Sequence, residues 1–292
     1  MYESLSHNDN GDVKLARRLI ELLGRPRAGL VTDIDGTISP IAARPEDAIV
    51  LPGARRALAG LRDHLSLVAV VTGRSVEDAR RMVDVDGLTY FGNHGLEIYT
   101  HGRAEIVPEA RPWVPRITAT VNGVIEQLDP ELKSTVIVEN KGATASIHYR
   151  LTPDPERARL HLLDVLARCE PTSGIRVEEG RRVMNLLPPL LINKGSAVRW
   201  MVKEHALDRV AYIGDDITDA HAFRALDMLR ESGNIETLNI GVLGPESAPS
   251  VRQLCDVSVP SVNAVAELLR RVLEGLEAGD RMDSRAPSIG SD

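Results

Sequence analysis

The feature that most constrains the fold is an apolar run that ends in two aspartates, within the segment 28–41. The run Ala-Gly-Leu-Val-Thr is followed by Asp33, Ile34 and Asp35, and then by Gly36. An apolar run that stops at turn-forming residues is typical of a buried strand entering a tight loop. Open α/β folds place their functional groups in such loops, at the carboxyl ends of strands. Two close carboxylates repel each other, so we expect a bound cation or a shared proton here. One carboxylate is then available as a nucleophile and the other as a proton carrier.

Length, charge and cysteine content limit the class of protein. The chain has 292 residues, enough for one large domain or two modest ones. Its net charge of -7, without a long basic run, argues against a nucleic-acid partner. No apolar stretch reaches the roughly 18 residues typical of a membrane span. The two cysteines lack metal-type spacing, which favours reduced thiols. We therefore expect a cytoplasmic monomer that binds a small molecule.

The order of predicted elements indicates an α/β protein with an insertion. Apolar runs at 28–32, 67–71 and 88–91 alternate with helical patterns at 52–64 and 75–83, which predicts a mostly parallel sheet with right-handed crossovers. Between 113 and 187 the order becomes helix, two strands, helix, two strands. The first pattern resumes with helices at 196–205, 219–229 and 264–276 and strands at 210–213, 237–242 and 257–259.

These patterns predict a Rossmann-like, doubly wound parallel-sheet core with a smaller α/β cap inserted into it. We assign residues 13–108 and 189–276 to the core and residues 109–188 to the cap. The polar segments 1–12 and 277–292 are expected to be disordered tails.

Three further loops carry chemistry of the same kind. Thr72 and Gly73 end the second strand just before a helix, where a hydroxyl and free amides form a phosphate cradle. An ordinary helix cap is the alternative interpretation of Thr72. Lys194 opens a later helix and is placed to hold a phosphoryl oxygen. Asp215 and Asp216 end another buried strand, and such carboxylates suit Mg²⁺.

Taken in order, Asp-x-Asp, Thr, Lys and Asp-Asp resemble the haloacid dehalogenase superfamily of aspartyl-phosphate phosphatases. A narrower resemblance covers nearly the whole chain. It is carried by DIDGTISPI, Gly92-Asn93-His94-Gly95-Leu96-Glu97, Val138-Glu139-Asn140-Lys141, His148-Tyr149-Arg150, Asn193-Lys194-Gly195 and YIGDDITDAHAF. Together these segments look like the trehalose-6-phosphate phosphatase family, in which the inserted lid reads the sugar and the core hydrolyses the phosphate ester.

The resemblance implies a role for each matching residue. Asp33 is implied as the nucleophile and Asp35 as the general acid and base, while Thr72 and Lys194 hold phosphoryl oxygens. Mg²⁺ is implied as the cofactor, held by Asp33, the main-chain carbonyl of Asp35 and Asp215, with Asp216 supporting its waters. The residues implied to bind the sugar phosphate are Gly73, Arg74, Asn93, His94, Glu97, Glu139, Lys141, His148, Arg150 and Asn185.

Two departures leave the sugar open. The family usually has Glu-hydrophobic-Arg-Pro where this chain has Asn185-Leu186-Leu187-Pro188, and an acidic pair where it has Ala220-His221. A phosphatase acting on another sugar phosphate, such as sucrose phosphate or a glycosyl-glycerate phosphate, is therefore a second candidate. A catalytically silent sugar-phosphate-binding regulator is a third, against which the intact core motifs argue. A P-loop kinase is disfavoured because its motif does not occur.

Simple structural roles also remain open for single residues. His94 could cap a loop or bond a core carbonyl. Glu139 and Lys141 could form an exposed ion pair that adds little stability. His148 and Arg150 share one face of a strand, and that face could meet solvent or substrate.

Overall fold

The structure is a computed structural model that describes residues 9–283, except 170, 171, 173, 181, 234, 245 and 246. The strands are β1 (Ala28–Thr32), β2 (Leu67–Val71), β3 (Thr89–Gly92), β4 (Glu97–Thr100), β5 (Arg103–Ile106), β6 (Ile137–Asn140), β7 (Ala145–His148), β8 (Arg176–Gly180), β9 (Val183–Leu187), β10 (Arg209–Gly214), β11 (Glu236–Val242) and β12 (Val257–Val259). The helices are α1 (Asp9–Leu23), α2 (Pro52–Leu61), α3 (Val76–Val83), α4 (Val114–Gln127), α5 (Pro130–Lys133), α6 (Pro155–Arg168), α7 (Lys194–Glu204), α8 (Asp219–Glu231), α9 (Pro249–Leu254) and α10 (Val262–Asp283). Within the described residues, no helix is long and apolar enough to cross a membrane.

The larger sheet has eight strands in the order β12-β11-β10-β1-β2-β3-β4-β5. The pairs from β12 to β3 are all parallel, and β4 and β5 are added antiparallel. The chain leaves β1 toward β2 and β3, and returns on the other side of β1 at β10. This reversal of strand order brings the loops after β1, β2 and β10 together at one edge of the sheet.

Helices cover both faces of this sheet, which confirms the predicted doubly wound arrangement. One face packs against α1, α2, α3 and α10, and the other against α7, α8 and α9. Leu30 on one face and Tyr212 on the other are fully buried between sheet and helices. Because a parallel strand is covered on both faces, it appears in the sequence as a continuous apolar run.

The hairpin β4–β5 was not predicted from the sequence. Its two strands are only partly buried, and their sequences, EIYT and RAEI, mix polar and apolar residues. A left-handed His101-Gly102 turn joins them, with φ angles of 50° and 79°. Edge strands of this kind lack the apolar run that identifies a central strand.

The predicted tails are wrong in part, because two terminal helices extend into them. α1 begins at Asp9, so residues 9–12 are helical, and α10 continues through residues 277–283. The last turns of α10 are supported by an ion pair from Arg281 to Glu277 at 3.3 Å and by a 2.8 Å hydrogen bond between His64 Nδ1 and Asp280. Such pairs stabilise a polar helix end without an apolar pattern. Residues 1–8 and 284–292 lie outside the described residues.

The smaller sheet has four antiparallel strands in the order β6-β7-β9-β8. α4 and α6 pack on one face of it through an apolar cluster that includes Ile117, Leu162, Ile147 and Met184. Its other face carries polar side chains and is turned toward the loops of the larger sheet. We call this unit the cap and the rest of the molecule the core; the order of cap elements is the one predicted, and the exact domain boundaries remain a prediction.

Candidate active site

The loop after β1 is packed tightly against the loop after β10. Asp33 is only 5% exposed, and its amide donates to the carbonyl of Ile213 at 3.0 Å. Gly36 has a φ of 82°, and a Cβ there would lie 2.1 Å from Asp215 Oδ2. Thr37 Oγ1 donates to Asp215 Oδ1 at 3.1 Å. Only glycine allows the two acidic loops to approach so closely.

Lys194 joins these loops at the first turn of α7. Its ammonium lies 3.1 Å from Asp33 Oδ2 and donates to Asp219 Oδ1 at 2.7 Å, with all three side chains almost fully buried. Burial disfavours the charged lysine, but Asp219 and Asp33 outweigh it and raise the pKa of Lys194, so it remains an ammonium. The predicted lysine is therefore in contact with the predicted nucleophile.

Asp219 is a site residue that the sequence analysis did not select. Its Oδ1 also accepts from Tyr212 Oη at 2.7 Å, and its Oδ2 accepts the amides of Asp215 and Asp216, each at 3.1 Å. These bonds fix the loop after β10 and aim Asp215 at Asp33. The available signal was the position of Asp219 at the start of a predicted helix, where an acidic residue is common and so draws no attention.

The core acidic groups fit a hard divalent cation. Asp33, Asp215 and Asp219 each offer one oxygen within 4.8 Å of the others. Burial raises the pKa of Asp33 to about 7, against the opposing charge of Lys194. Burial and then repulsion from Asp33 raise the pKa of Asp215 to about 9. When all three carboxylates are ionised, one ammonium leaves an excess of negative charge that a bound cation would neutralise, and carboxylate oxygens are the donors that Mg²⁺ prefers. Because Asp219 already accepts four hydrogen bonds, Asp33 and Asp215 are the carboxylates best placed as ligands. Asp216 lies exposed at the rim, and its support of metal-bound waters remains a prediction.

Arg74 holds Asp35 from the loop after β2. Its Nε and Nη2 donate to the two oxygens of Asp35 at 2.6 and 2.8 Å. Nη1 donates to Asp78 at 2.6 Å, and the carbonyl of Pro45 accepts from Nη2 at 3.0 Å. Arg74 was predicted as a substrate ligand; in this structure its guanidinium positions the Asp35 carboxylate while lining the same cavity.

Gly73 and His94 form the floor beside these groups. A Cβ on Gly73 would lie 2.6 Å from His94 Cε1, so the close contact requires glycine. His94 has a left-handed φ of 58°, and its buried Nδ1 has no hydrogen-bond partner in the described structure. Burial, assisted by the charges of Lys194 and Lys141, lowers its pKa to about 3, so the imidazole is neutral. Thr72 Oγ1 accepts the Arg74 amide at 3.3 Å, and Glu97 accepts the Val76 amide at 2.8 Å.

The cap presents charged groups to this floor. Burial opposes ionisation of Glu139, but a 2.7 Å hydrogen bond from His148 and the charge of Lys141 outweigh it and lower its pKa to about 2. Lys141 Nζ also donates to the carbonyl of Gly73 at 3.1 Å, and Arg150 donates to the carbonyl of Ala42. These contacts place the cap directly against the core loops.

Asn93 is the predicted substrate ligand that the structure does not bring to the cavity. It is fully buried; its amide nitrogen donates to the carbonyl of Lys141 at 3.1 Å, and its Oδ1 accepts from Thr144 Oγ1 at 2.5 Å. Its side chain points into the turn between β6 and β7 because that turn offers both a donor and an acceptor. Asn93 therefore anchors the cap to the core.

A cavity of about 680 Å³ lies between the core loops and the cap sheet. All the other predicted site residues line it: Asp33, Asp35, Thr72, Gly73, Arg74, His94, Glu97, Glu139, Lys141, His148, Arg150, Asn185, Lys194, Asp215 and Asp216. Ser146 and Glu178 also line it and were not predicted. The sequence signal for these two residues is the two-residue alternation along the cap strands. It shows which residues share a face of the sheet, but not whether that face borders solvent or a cavity.

Comparison with known proteins agrees with this geometry. The chain is 34% identical over 222 residues to an uncharacterised glycosyl hydrolase of Mycobacterium tuberculosis, covering 72% of this chain and 16% of that protein. It is 33% identical over 226 residues to the trehalose-phosphate phosphatase of Mycobacterium ulcerans, covering 71% of this chain and 55% of that protein. The chain thus spans about half the length, or less, of these relatives.

The fold is shared with a solved structure. The C-terminal domain of trehalose-6-phosphate phosphatase from C. albicans superposes with a TM-score of 0.72 at 19% identity, covering 90% of this chain and 96% of that one. A family model described as trehalose-phosphatase matches residues 31–246. That match covers most of the chain and includes the core loops and the cap face around the cavity, so the chain belongs to the trehalose-phosphatase family.

Proposed function

We propose that this protein hydrolyses trehalose 6-phosphate to trehalose and phosphate through an aspartyl-phosphate intermediate, with Mg²⁺ as its cofactor. The observation that carries the proposal is the Asp33 carboxylate, which lines a cavity closed by a polar cap while Lys194 holds it at 3.1 Å. A buried carboxylate beside a fixed ammonium is positioned for attack on an anionic phosphate.

In the first half-reaction an Asp33 oxygen attacks phosphorus, and the bond from phosphorus to the sugar oxygen breaks. The departing sugar oxygen takes a proton from Asp35. Arg74 orients Asp35 through two hydrogen bonds, so the carboxyl group lies at one place relative to Asp33. In the second half-reaction Asp35 takes a proton from water, whose oxygen attacks phosphorus and releases Asp33 and inorganic phosphate.

The remaining core groups hold charge in place. Lys194, the Thr72 hydroxyl and the amides near Gly36 and Gly73 are proposed to bind the phosphoryl oxygens that do not react. Mg²⁺, bound by Asp33, the main-chain carbonyl of Asp35 and Asp215, would neutralise the charge between an anionic nucleophile and an anionic substrate. Asp219 is proposed to hold Lys194 and the loop that carries Asp215 in fixed positions during both half-reactions.

The cap is proposed to bind the sugar and exclude water. Glu139, Lys141, His148 and Asn185 face the cavity with acceptors and donors suited to hydroxyl groups. Lys141 contacts the carbonyl of Gly73, so a sugar held by the cap lies next to the phosphate loop. A closed cap of this kind prevents bulk water from intercepting the reaction.

A second sugar phosphate is the alternative favoured by one observation. Asn185 stands in the cavity where the family has an acidic residue, and Leu187 is buried where it has a basic one. An amide accepts fewer hydrogen bonds than a carboxylate and also donates. A sucrose phosphate or glycosyl-glycerate phosphate therefore remains the second candidate substrate.

Phosphate release from a panel of mono- and disaccharide phosphates, measured with Mg²⁺ and with Asp33→Asn as the blank, tests the proposal. We expect trehalose 6-phosphate to be the best substrate, activity to disappear after dialysis against a chelator, and added Mg²⁺ to restore it. Preference for another sugar phosphate would replace the substrate and keep the mechanism. No hydrolysis of any sugar phosphate, with binding retained, would favour the silent regulator. Full activity in metal-free protein would show that Mg²⁺ is not the cofactor.

A further inference from the structure

Four side chains form a row across the open face of the cap sheet. The strand register pairs Glu139 with Ser146, Ser146 with Asn185, and Asn185 with Glu178. Directly opposed residues in antiparallel strands point to the same side of a sheet. Adjacent strands lie about 4.8 Å apart, so the row spans about 14 Å. The residues that alternate with the row point into the apolar cluster beneath it: Val138, Ala145, Ile147, Met184, Leu186 and Val177.

The β6 end of this row is occupied by internal hydrogen bonds. Glu139 accepts from His148, and Lys141 donates to Ser146 Oγ at 2.8 Å. Ser146 Oγ in turn donates to Asn185 Oδ1 at 2.8 Å. Across the described residues, the Asn185 amide nitrogen donates to no protein acceptor and is available to a ligand.

The β8 end of the row ends in a carboxylate whose acceptors are available. Glu178 lines the cavity, and its Oε1 lies 2.9 Å from Arg176 Nε as an ion pair. That Nε is buried and makes no hydrogen bond of good geometry, so the two groups are close but their N–H and oxygen are not aligned. Arg176 is held from its other side, where Nη1 donates to the carbonyl of Leu190 at 3.0 Å. In the part of the chain that the structure describes, no donor is aligned with the Glu178 carboxylate.

The same pair accounts for the departure on β9. Asn185 is directly opposite Glu178, and Leu187 is directly opposite Arg176. The acidic and basic groups absent from β9 are thus present on β8, one strand over and on the same face. Glu178 lines the same cavity as Asp215 and Asp216 of the core, so the β8 end of the row faces the core across the cavity.

We propose that Glu178, positioned by Arg176, accepts hydrogen bonds from hydroxyls of the sugar ring that carries no phosphate, and so selects disaccharide phosphates. The inference rests on the proposed function. Lys141, near the other end of the row, contacts the phosphate loop, so the phosphorylated ring lies beneath that end. Glu178 lies three strands, or about 14 Å, from Glu139 at that end of the row. This separation is longer than one sugar ring, so Glu178 is placed to meet the second ring. An ionised carboxylate accepts from two adjacent hydroxyls at once, which an amide does less well.

The test is Glu178→Gln, assayed with trehalose 6-phosphate, glucose 6-phosphate and para-nitrophenyl phosphate. We expect KM for trehalose 6-phosphate to rise about 10- to 100-fold with kcat little changed, the usual effect of losing a charged hydrogen bond. Constants for the other two substrates, which lack a second sugar ring, should stay within about twofold of wild type. Glu179→Gln is the matched control: it makes the same charge change one residue on, at the edge of the same cavity, where the carboxylate is already paired with Arg159 of α6 at 3.1 Å.

Three outcomes overturn the inference: an unchanged KM for trehalose 6-phosphate, an equal rise for glucose 6-phosphate, or an equal rise in Glu179→Gln. Hydrolysis of none of the substrates by wild type overturns the proposed function instead. In that case, calorimetric titration of trehalose 6-phosphate into Asp33→Asn protein with and without Glu178→Gln still decides the inference. Affinity that depends on Glu178 supports it, and affinity that does not depend on Glu178 contradicts it.

Discussion

The two sides of the cavity are built by different means. On the core side, Asp33, Lys194 and Asp219 are almost fully buried and bond to one another. Parallel strands bring their loops to one sheet edge from distant parts of the chain. On the cap side, Glu139, Asn185 and Glu178 are partly exposed, and the register of an antiparallel sheet aligns them.

We propose that this difference separates catalysis on the core side from substrate selection on the cap side. A change in the buried core set leaves an uncompensated charge beside its partners, so the set acts as a unit. A change on the partly exposed cap face removes contacts to a ligand and local hydrogen bonds, but it leaves the buried charges of the core paired. We therefore predict that core variants affect every phosphate ester, whereas cap variants affect sugar phosphates selectively.

The largest effect is expected for Asp33→Asn. The amide cannot form the aspartyl-phosphate, so turnover of every substrate should fall at least about 10⁴-fold. Because the side chains are nearly the same size, circular dichroism and thermal unfolding should report a folded protein. A folded variant with near wild-type activity on any phosphate ester would show that the core set is not the chemical centre.

Asp35→Asn should have the next largest effect and should depend on the leaving group. General acid–base assistance is worth about 10²–10⁴-fold, and a sugar alkoxide needs protonation more than a nitrophenolate does. Phosphate release from trehalose 6-phosphate should therefore fall much more than release from para-nitrophenyl phosphate. An equal loss on both would assign Asp35 to positioning.

Asn93→Ala tests the contact between the core and the cap. Removing its amide leaves the buried Thr144 hydroxyl without its partner and takes one of two hydrogen bonds from the Lys141 carbonyl, so urea unfolding should show a loss of about 1–3 kcal/mol. The loosened cap should also raise KM for the sugar phosphate more than for the aryl phosphate. Unchanged stability combined with a large rise in KM would return Asn93 to the substrate-binding set.

The smallest effect is a pH dependence of stability from the cap. Glu139 has a pKa of about 2 in place of 4.5, so its ionised form stabilises the folded state above about pH 4.5. That stabilisation is lost as the pH falls toward 2. Wild type should exceed Glu139→Gln in unfolding free energy by about 1 kcal/mol at pH 7, and the gap should narrow at pH 3. A gap independent of pH would mean that the pKa of Glu139 is not lowered in the folded protein.

Sequence reasoning was most successful where one strand end carries its own functional groups. Asp33, Thr72 and Asp215 each follow a buried apolar run, so their loops were predicted together. It could not identify contacts to partners that come from distant parts of the chain. Nothing local to Asn93 indicates the cap turn that it bonds, and nothing local to Arg74 indicates Asp35. The pairing of Glu178 with Asn185 depends on which cap strands are neighbours. The predicted β8-β9 hairpin suggests that these two strands pair, but only the structure shows that the paired residues line the cavity.

The most direct test is the ratio of kcat/KM for trehalose 6-phosphate to kcat/KM for para-nitrophenyl phosphate, compared among wild type, Lys141→Ala in the cap and Thr72→Ala in the core. We predict that Lys141→Ala lowers the ratio at least about tenfold, because it removes a charged contact made to the sugar phosphate. Thr72→Ala should lower both constants together and leave the ratio within about twofold of wild type. If both variants change the ratio equally, or if only Thr72→Ala changes it, the division between a chemical core and a selecting cap is contradicted.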